Sequence, residues 1–536
     1  VVKGPGSSLY GTNAFFAVVN VITKRGRDLE SGLFKADAGS FSMYRGRVTV
    51  GQKLNSGFEY LLSGSYFDSK GQRQLYYPEF DDPKTNNGIA QDVDRDRGGN
   101  LVANGAYKDL SFAISYSSRT KAIPTASFGT YFNDRRTQTI DERGYVDIKF
   151  EHTFQLNWDL VARTYVDSYD YHGIYALDYS QTDTPNVVLN RDNAIGRWWG
   201  AEVQVSRFVF HKHRLTAGAE LRNNFRQDQA NFDSSPNDIT YLDSREHSFR
   251  AALFLQDEFT FHKKLILNAG LRYDHYGTFG GTINQRLGLI YHPQEGTTVK
   301  LLYGQAFRAP NAYELYYSGA GNKANPNLTP ESIRTLELVL ERFWGRNFRI
   351  TLSPYLYRLS GLISEEVDPA DQLITYLNTG KIRARGFESI IEMKGFHGVE
   401  GRITYALQRA IDLTSGKSLT NSPEHLASLN ISFPIYRPSL HAGLELRFTS
   451  ARKTDNKSRV GGYLLADVTL LNRKFARNID LAVSIYNLFN KRYADPGGEE
   501  HRQDSILQDG RTFKISLTYR FPILGAGFRD SGSGKP

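Results

Sequence analysis

Between residues 33 and 521 the chain returns again and again to a strict two-residue hydrophobic period, and that pattern leaves few folds open. Phe513 to Phe521 alternates apolar and polar side chains at all nine positions. Leu440 to Phe448 does the same, setting His441, Gly443, Glu445 and Arg447 on the second face. Ala427 to Phe433 and Ile479 to Ile485 repeat it, the latter broken only at Ala482. Such alternation predicts strands with one apolar and one polar face, and no helical period competes over a useful length. Leu265 to Tyr273 and Phe348 to Tyr357 run for nine and ten residues. Sandwich strands usually stop at about 5–6 residues, whereas a tilted strand crossing a bilayer needs about 9–11.

The connections between runs alternate in length. Ten are tight, from 55–57 and 108–109 through 211–213 and 395–400 to 475–478. Ten are longer, among them 70–97, 125–141, 171–196, 227–245, 308–331, 364–378 and 491–511, and one near 39–44 is modest. Twenty-one connections join 22 strands. An even number of antiparallel strands, with short turns at one rim and long loops at the other, describes a transmembrane β-barrel. Closure also removes the unpaired edges that an open sheet of this size would expose. A large soluble propeller would instead show a self-similar repeat of about 40–50 residues, and none is found.

Composition closes off the other classes. A chain of 536 residues would ordinarily divide into soluble domains, yet 48 Gly stand beside only 18 Pro and no linker-like stretch separates two halves. Cysteine is absent, which excludes disulfide scaffolds, thiolate-held zinc and thiol catalysis. Mean hydropathy is −0.47 and no run approaches 18 apolar residues, so no helix spans a membrane. The net charge of +9 favours anionic ligands or lipid headgroups. Lys and Arg are spread rather than clustered in sequence, which argues against nucleic acid. The sequence opens on Val1 without a signal-like segment and reads as a mature chain or a fragment.

The first 26 residues break the pattern. Val1 to Lys24 has clustered glycines, then an apolar run, then a basic end, which reads as a Gly-rich turn, a short helical stretch and a buried strand. This segment resembles the end of the plug domain of TonB-dependent outer-membrane receptors, whose pattern is GPxSxLYGxxAxxGVINIITK. Gly4, Pro5, Ser7, Leu9, Tyr10, Gly11, Ala14, Val18, Asn20, Ile22, Thr23 and Lys24 match, Gly6 lies within the same block, and Ala17 stands where the family usually has Gly. Tyr303 to Pro310 with Glu314 to Tyr316 is similar to the family's FRAP block, and Asn325 to Leu328 with Pro330 and Glu331 to its NPNLxPE block. Asn487 to Pro496 resembles NLxxKxYxDP, and Gly510 through Phe521 the terminal strand ending in Phe.

The resemblance implies an all-β protein in the cell outer membrane. A remnant of the plug would occupy 1–26, a barrel of about 22 antiparallel strands 27–521, and a flexible tail 522–536. Its function would be import of a metal chelate energised through TonB, with a ferric siderophore first and cobalamin second. The expected partners are outer-membrane lipid or lipopolysaccharide, TonB for the full-length protein and the chelate, the protein itself being monomeric. The TonB box and most of the plug would lie upstream of Val1. A passive porin or an adhesion barrel is the alternative from another class.

Ligand contacts are expected from loops. Tyr313, Tyr316 and Tyr317 fall in 308–331, and Tyr171, Tyr175 and Tyr179 open 171–196; tyrosine stacks on planar ligands and also hydrogen-bonds. The same rings would equally serve as an interfacial girdle. Arg308 would greet an anionic chelate or form an inward salt bridge. No His lies in 311–324, where a haem receptor of the family would be expected to carry one. His211, His213, His262, His292 and His397 fall at the short-turn rim and read as surface residues. Asp92, Asp94 and Asp96, with Asp81 and Asp82 before them, would hold a structural calcium, or else lie on a solvated face among Arg95 and Arg97. No other cofactor is expected. Enzymatic signatures fail: there is no HExxH or GxSxG elbow, Gly416-Lys417-Ser418 lacks the earlier glycine of a phosphate loop, and Gly319 to Ala324 has no following helix.

Overall fold

A computed structural model of the protein describes residues 2–3, 11–12, 14–29, 31–182, 184–234, 238–436 and 439–523. Twenty-two long strands, each antiparallel to its neighbours, form one closed barrel. Closure joins the first strand, Gly32–Gly39, to the last, Thr512–Phe521, in the register Gly32 opposite Phe521 through Gly39 opposite Lys514. One rim carries tight turns, as between Tyr107 and Leu110, His262 and Leu265, and Phe396 and Val399. The other carries the long loops.

The two-residue period sorts side chains between lumen and exterior. Along Glu331–Trp344, Ile333, Thr335 and Glu337 are buried in the interior while Leu336, Leu338 and Leu340 stand exposed outside. Phe513, Ile515, Leu517 and Tyr519 form the outer face of the last strand. Near the short-turn rim this apolar belt ends in exposed aromatics, among them Phe154, Trp158, Phe208, Phe261, Trp344 and Phe396, as an interfacial girdle requires. In detergent the protein should therefore give a β-dominated circular dichroism spectrum and migrate faster on gels unboiled than boiled. Appreciable helix content would contradict the barrel.

Several strands are longer than their alternation suggested. Trp158–Asp178, Val187–Val209, His213–Asp233 and Ile239–His262 run 21 to 24 residues. The first two pair without interruption from Trp158 opposite Arg207 to Asp178 opposite Val187. The loops expected at 171–196 and 227–245 shrink to 179–186 and 234–238, so Tyr171 and Tyr175 stand on a strand rather than in a loop. The loop expected at 364–378 likewise shrinks to 368–373. Past the apolar belt both faces meet water, so the hydrophobic period fades while the hydrogen-bonded ladder continues.

The described part of the N-terminal segment lies inside the barrel. Gly4, Pro5, Gly6 and Tyr10 fall outside the described residues, as does the tail from 524 onward. Gly11 has φ +70° and lies so close to the wall that a Cβ there would sit 3.0 Å from Arg272 Nη2. Ala309 N–H donates to Thr12 Oγ1 at 3.0 Å, and Phe15 packs with Ala306, Ile333 and Leu359. The expected helix is absent from the described residues of this segment, and Ala17–Val18 pairs with Val2–Lys3 as a two-residue ladder. Nor is the apolar run buried: Val19, Val21 and Ile22 are 69–84% exposed, and Asn20 is exposed with them. The residues around Val21 and Ile22 are largely polar, among them Asn104, Lys108, Ser111, Asp147, Lys149 and Glu151. At Gly26 the chain presses against the wall, where a Cβ would lie 2.2 Å from Tyr60 O. Arg27 then grips Glu59 before the first barrel strand begins.

Candidate ligand-binding site

Above the membrane belt, the tall strands present a continuous inward face. Register places Asp141, Tyr171 and Ala194 on one rung and Gly173, Asp192, Asn231 and Leu242 on another, with Tyr175, Asn190 and Asp233 on a third. Polar side chains on this wall satisfy one another. Asn190 Nδ2 donates to Asn231 Oδ1 and to Asp233 Oδ1, both at 2.9 Å, and Tyr241 O–H donates to Asp233 Oδ2 at 2.7 Å. The Tyr171 and Tyr175 hydroxyls meet each other at 2.5 Å, and Phe128 meets the Tyr175 ring edge-on at 5.7 Å.

The loop 308–331 closes over this wall. Arg308 donates through Nε and Nη2 to both oxygens of Glu331, each at 2.7 Å, and through Nη1 to Glu314 at 3.0 Å. Glu314 and Asn311 form a capping box on the helix Ala312–Tyr316. Arg308 is thus engaged by two carboxylates and fixes the helix rather than facing the lumen as a free cation. The helix is pinned to the wall where Gln229 Nε2 donates to Ala312 O at 3.0 Å. Tyr317 follows the helix, donating to Asp192 Oδ2 at 3.2 Å and accepting from Asn231 Nδ2 at 3.0 Å. The Tyr313 ring lies 4.3 Å from that of Tyr317 and 6.1 Å from that of Tyr376.

Four of the six tyrosines singled out in the sequence therefore converge, while Tyr179 donates to Asp233 Oδ1 at 3.4 Å. Tyr171, Tyr175, Tyr313 and Tyr317 surround one chamber, and Tyr316 lies apart, under the influence of Glu246. Burial pushes the Tyr313 hydroxyl up to about 12, and burial with the Asp192 charge raises Tyr317 as well. Both stay protonated at neutral pH and offer O–H groups and ring faces together. Asp192, Asn190, Asn231, Asp233, Phe128 and Tyr376 are part of the chamber and were not legible in the sequence. Only their register against the tyrosines identifies them. The inward face here carries Asp141, Asp192 and Asp233, and Arg143, lower down, is paired with Asp167. The chamber is acidic despite the net positive chain.

The NPNL block anchors this lid. Asn325 Nδ2 donates to Tyr376 O at 2.8 Å, Thr329 N–H donates to Asn378 Oδ1 at 2.8 Å, and Leu328 is buried. Lys323 clasps Asp368 and Asp371 at 2.7 and 2.9 Å, which holds both carboxyls below their usual range and raises the lysine. Depressed carboxyl values mean the clasp is complete above the ordinary aspartate range and lost as pH falls through the lowered values. The raised lysine means it is also lost as pH climbs past the ordinary lysine range. Proteolysis of the 317–331 segment should accordingly be slow at neutral pH and accelerate in acid before the barrel opens. Equal rates at pH 7 and in acid would show that the clasp does not hold the lid.

Asp92, Asp94 and Asp96 do not converge on a common point. Asp92 pairs with Arg135 at 3.1 Å, Asp94 with Lys121 at 2.6 Å and Asp96 with Arg119 at 2.6 Å. Among the described residues, no group of three or more His, Asp or Glu is placed to hold a metal ion. Each carboxylate has a cation of its own on a neighbouring element, which leaves no shared pocket for calcium. The late block is structural too: Asn487 ties its turn together, donating through Nδ2 to Lys491 O and Asp509 O and accepting from Lys491 N–H.

The family model described as TonB dependent receptor-like, beta-barrel matches residues 33–488. The chain is 23% identical over 555 residues to the metal-pseudopaline receptor CntO of Pseudomonas aeruginosa UCBPP-PA14, covering 92% of this chain and 76% of that protein. It is 23% identical over 623 residues to the catecholate siderophore receptor Fiu of Escherichia coli O157:H7, covering 92% and 77%. Against the vitamin B12 transporter BtuB of Vibrio cholerae it is 24% identical over 477 residues, covering 80% and 64%. The crystal structure of the ferric-catecholate import receptor Fiu from E. coli K12 superposes with a TM-score of 0.77 at 18% identity, over 97% of this chain and 86% of that one. At that identity the two share a fold.

Proposed function

Because this chain belongs to the TonB-dependent receptor-like β-barrel family, we propose that it imports a metal chelate, a ferric siderophore first, across the outer membrane. The long-loop rim faces the cell exterior. The observation that carries this reading is the tyrosine chamber, where four rings and two buried O–H groups meet at the mouth of the lumen. Rings stack on the flat or apolar parts of a chelate, and hydroxyls orient it.

The acidity of the chamber sharpens the choice of cargo. With Arg308 engaged by Glu314 and Glu331, recognition does not run through a free cation on the lid. The cargo that fits is a chelate that is neutral or presents hydrogen-bond donors toward Asp192, in place of a strongly anionic one. From the chamber the cargo descends between a polar wall and the segment 11–29, and energy supplied through TonB displaces what lies beneath it. Cobalamin is the second reading, supported by the likeness to the B12 transporter.

A binding competition tests both. Purified receptor should bind at least one neutral ferric siderophore more tightly than an anionic ferric catecholate, and should bind cyanocobalamin weakly. Tight cobalamin binding would replace the first reading by the second, and binding of no chelate would remove both.

A further inference from the structure

The barrel wall is incompletely paired at one place. Gly280–Tyr291 and Thr297–Arg308 are adjacent strands, yet their ladder runs only from Arg286 opposite Gly304 to Tyr291 opposite Val299. Above it, 280–285 and 305–308 are paired on their far sides alone, with 271–276 and 331–334. Counted from the short-turn rim, Gln285 is the seventh residue of its strand and Gly280 the twelfth. About 9–11 residues cross the hydrocarbon core, so the two open edges lie at the level of the outer leaflet. The wall is also low here. The hairpin turns at 277–279, while the neighbouring strand Ile239–His262 continues eleven residues beyond Arg250, the partner of Tyr276. Arg308 leads into the helix Ala312–Tyr316, whose bond from Gln229 carries the lid across the inner side of this gap. The seam therefore opens directly beneath the helix that bears Tyr313.

One side chain stoppers the seam. Phe307 has the outward parity of its strand, as Leu301 and Tyr303 do, and stands opposite Ser332, whose hydroxyl meets that of Ser360 on the outer face. It is nevertheless 1% exposed, and its ring meets that of Tyr276 edge-on at 5.8 Å. Tyr276 faces the lumen, where Arg250 Nη1 donates to its hydroxyl at 3.2 Å. A ring of outward parity reaches an inward one only where the wall between them is open, so Phe307 lies in the seam itself. Open sheet edges do not stand against lipid unless protein covers them. Here the cover is a phenyl ring, and an apolar chain can take its place like for like. Leu271, Tyr273, Ile283 and Leu301 are exposed on the lipid side of the seam, and Ala306 packs with Phe15 on the lumen side.

We propose that this seam is a lateral entry for the hydrocarbon tail of an acylated ferric chelate. The tail stays in the outer leaflet and passes between 280–285 and 305–308 as Phe307 swings aside, while the chelating head reaches the tyrosine chamber. The proposal rests on the chelate-import reading above and narrows its cargo to a neutral head on one acyl chain. Both ends fit. The chamber offers rings and hydroxyls to a head without net charge, and the seam offers apolar surface to a tail that never leaves hydrocarbon. An acyl anchor also confines the head to the membrane surface and raises its concentration at the rim.

Photolabelling of the whole chain in lipid nanodiscs tests it. The probes share one head, a neutral ferric trihydroxamate, either bare or carrying a dodecanoyl tail with a diazirine midway along it. Labels from the tail should fall on 279–285 and 303–307 at least fivefold more often than on the outer face of Thr512–Phe521. Excess bare chelate should abolish that preference. Gln285→Cys with Gln305→Cys places two thiols where the next rung of the ladder would be, in a chain with no other cysteine. Oxidation of this pair should lower binding of the acylated chelate at least tenfold and leave the bare chelate within twofold, and reduction should restore both. If the pair fails to oxidise or to give a heat-modifiable barrel, the labelling comparison needs no variant and decides alone. Even labelling around the belt, labelling that bare chelate does not displace, or undiminished binding of the acylated chelate by the oxidised pair would overturn the seam and leave chelate import standing. An equal loss of both chelates on oxidation would overturn it too, as damage to the chamber. If neither chelate binds the unaltered protein, the import reading fails and this proposal with it.

Discussion

Replacing Arg272 with Ala should destabilise the folded barrel by about 3–5 kcal/mol, the loss typical of a buried ion network deprived of one member. Arg272 is 1% exposed and donates to Asp274 through Nε and to Glu220 through Nη2, while its guanidinium lies 5.6 Å from the Phe254 ring. Asp274 is equally buried, so removing its cation strands a carboxylate beneath the segment that begins at Gly11. Glu220 keeps Arg250 and suffers less. The double variant R272M/D274M removes charge in pairs and should recover most of the loss, because a paired deletion leaves no uncompensated ion. Urea unfolding in lipid vesicles would measure both. A single variant as stable as the parent, or a double variant worse than the single, would show that the network is not what holds this wall.

Changing Tyr313 and Tyr317 together to Ala should weaken chelate binding by about 1–3 kcal/mol, roughly five- to 150-fold, if either ring anchors the cargo. Tyr316→Ala serves as the internal comparison. It comes from the same helix but lies outside the chamber, and its effect should stay below about twofold. Tyr317→Phe separates the two contributions of one residue. It keeps the ring stacked on Tyr313 and removes only the O–H shared with Asp192 and Asn231. Titration of the purified variants with a ferric siderophore gives the affinities. Unchanged binding by the folded double variant would make these rings packing elements of the lid.

The barrel was legible in the sequence because its period is imposed by the environment. Wherever one face meets lipid and the other the lumen, as in Thr512–Phe521, alternation is complete. It failed where the environment changes. Tyr171 and Tyr175 looked like loop residues because above the membrane both faces of their strand are wet. The tyrosines themselves could be named from composition, but Asp192 and Asn231 could not, since only the register of three strands brings them under Tyr317. Arg308 was open to two roles in the sequence, and the placement of Glu314 and Glu331 around it shows the salt bridge. The apolar run at 19–22 reads as buried in any propensity argument, yet it is exposed, with largely polar residues around Val21 and Ile22.

Charge tells a similar story. A net charge of +9 invited the expectation of an anionic cargo, yet the chamber is lined by carboxylates, while Arg334, Arg358 and Arg383 stand together on the outer face. Net charge is a sum over surfaces that face different partners.

The tall hairpins have one more implication, for how the receptor meets its surroundings. A strand of 23 residues such as Val187–Val209 is roughly 75 Å long at ~3.3 Å per residue, and at a tilt near 45° it rises about 50 Å. A hydrocarbon core of about 30 Å leaves some 20 Å of rigid sheet standing clear of the bilayer. On that side the receptor resembles a parapet rather than a fringe of tentacles. The wall between Trp158 and His262 is therefore stiff before any cargo arrives. An antibody or a bacteriocin that grips the parapet would find a fixed target, and it could block the doorway without touching the moving parts.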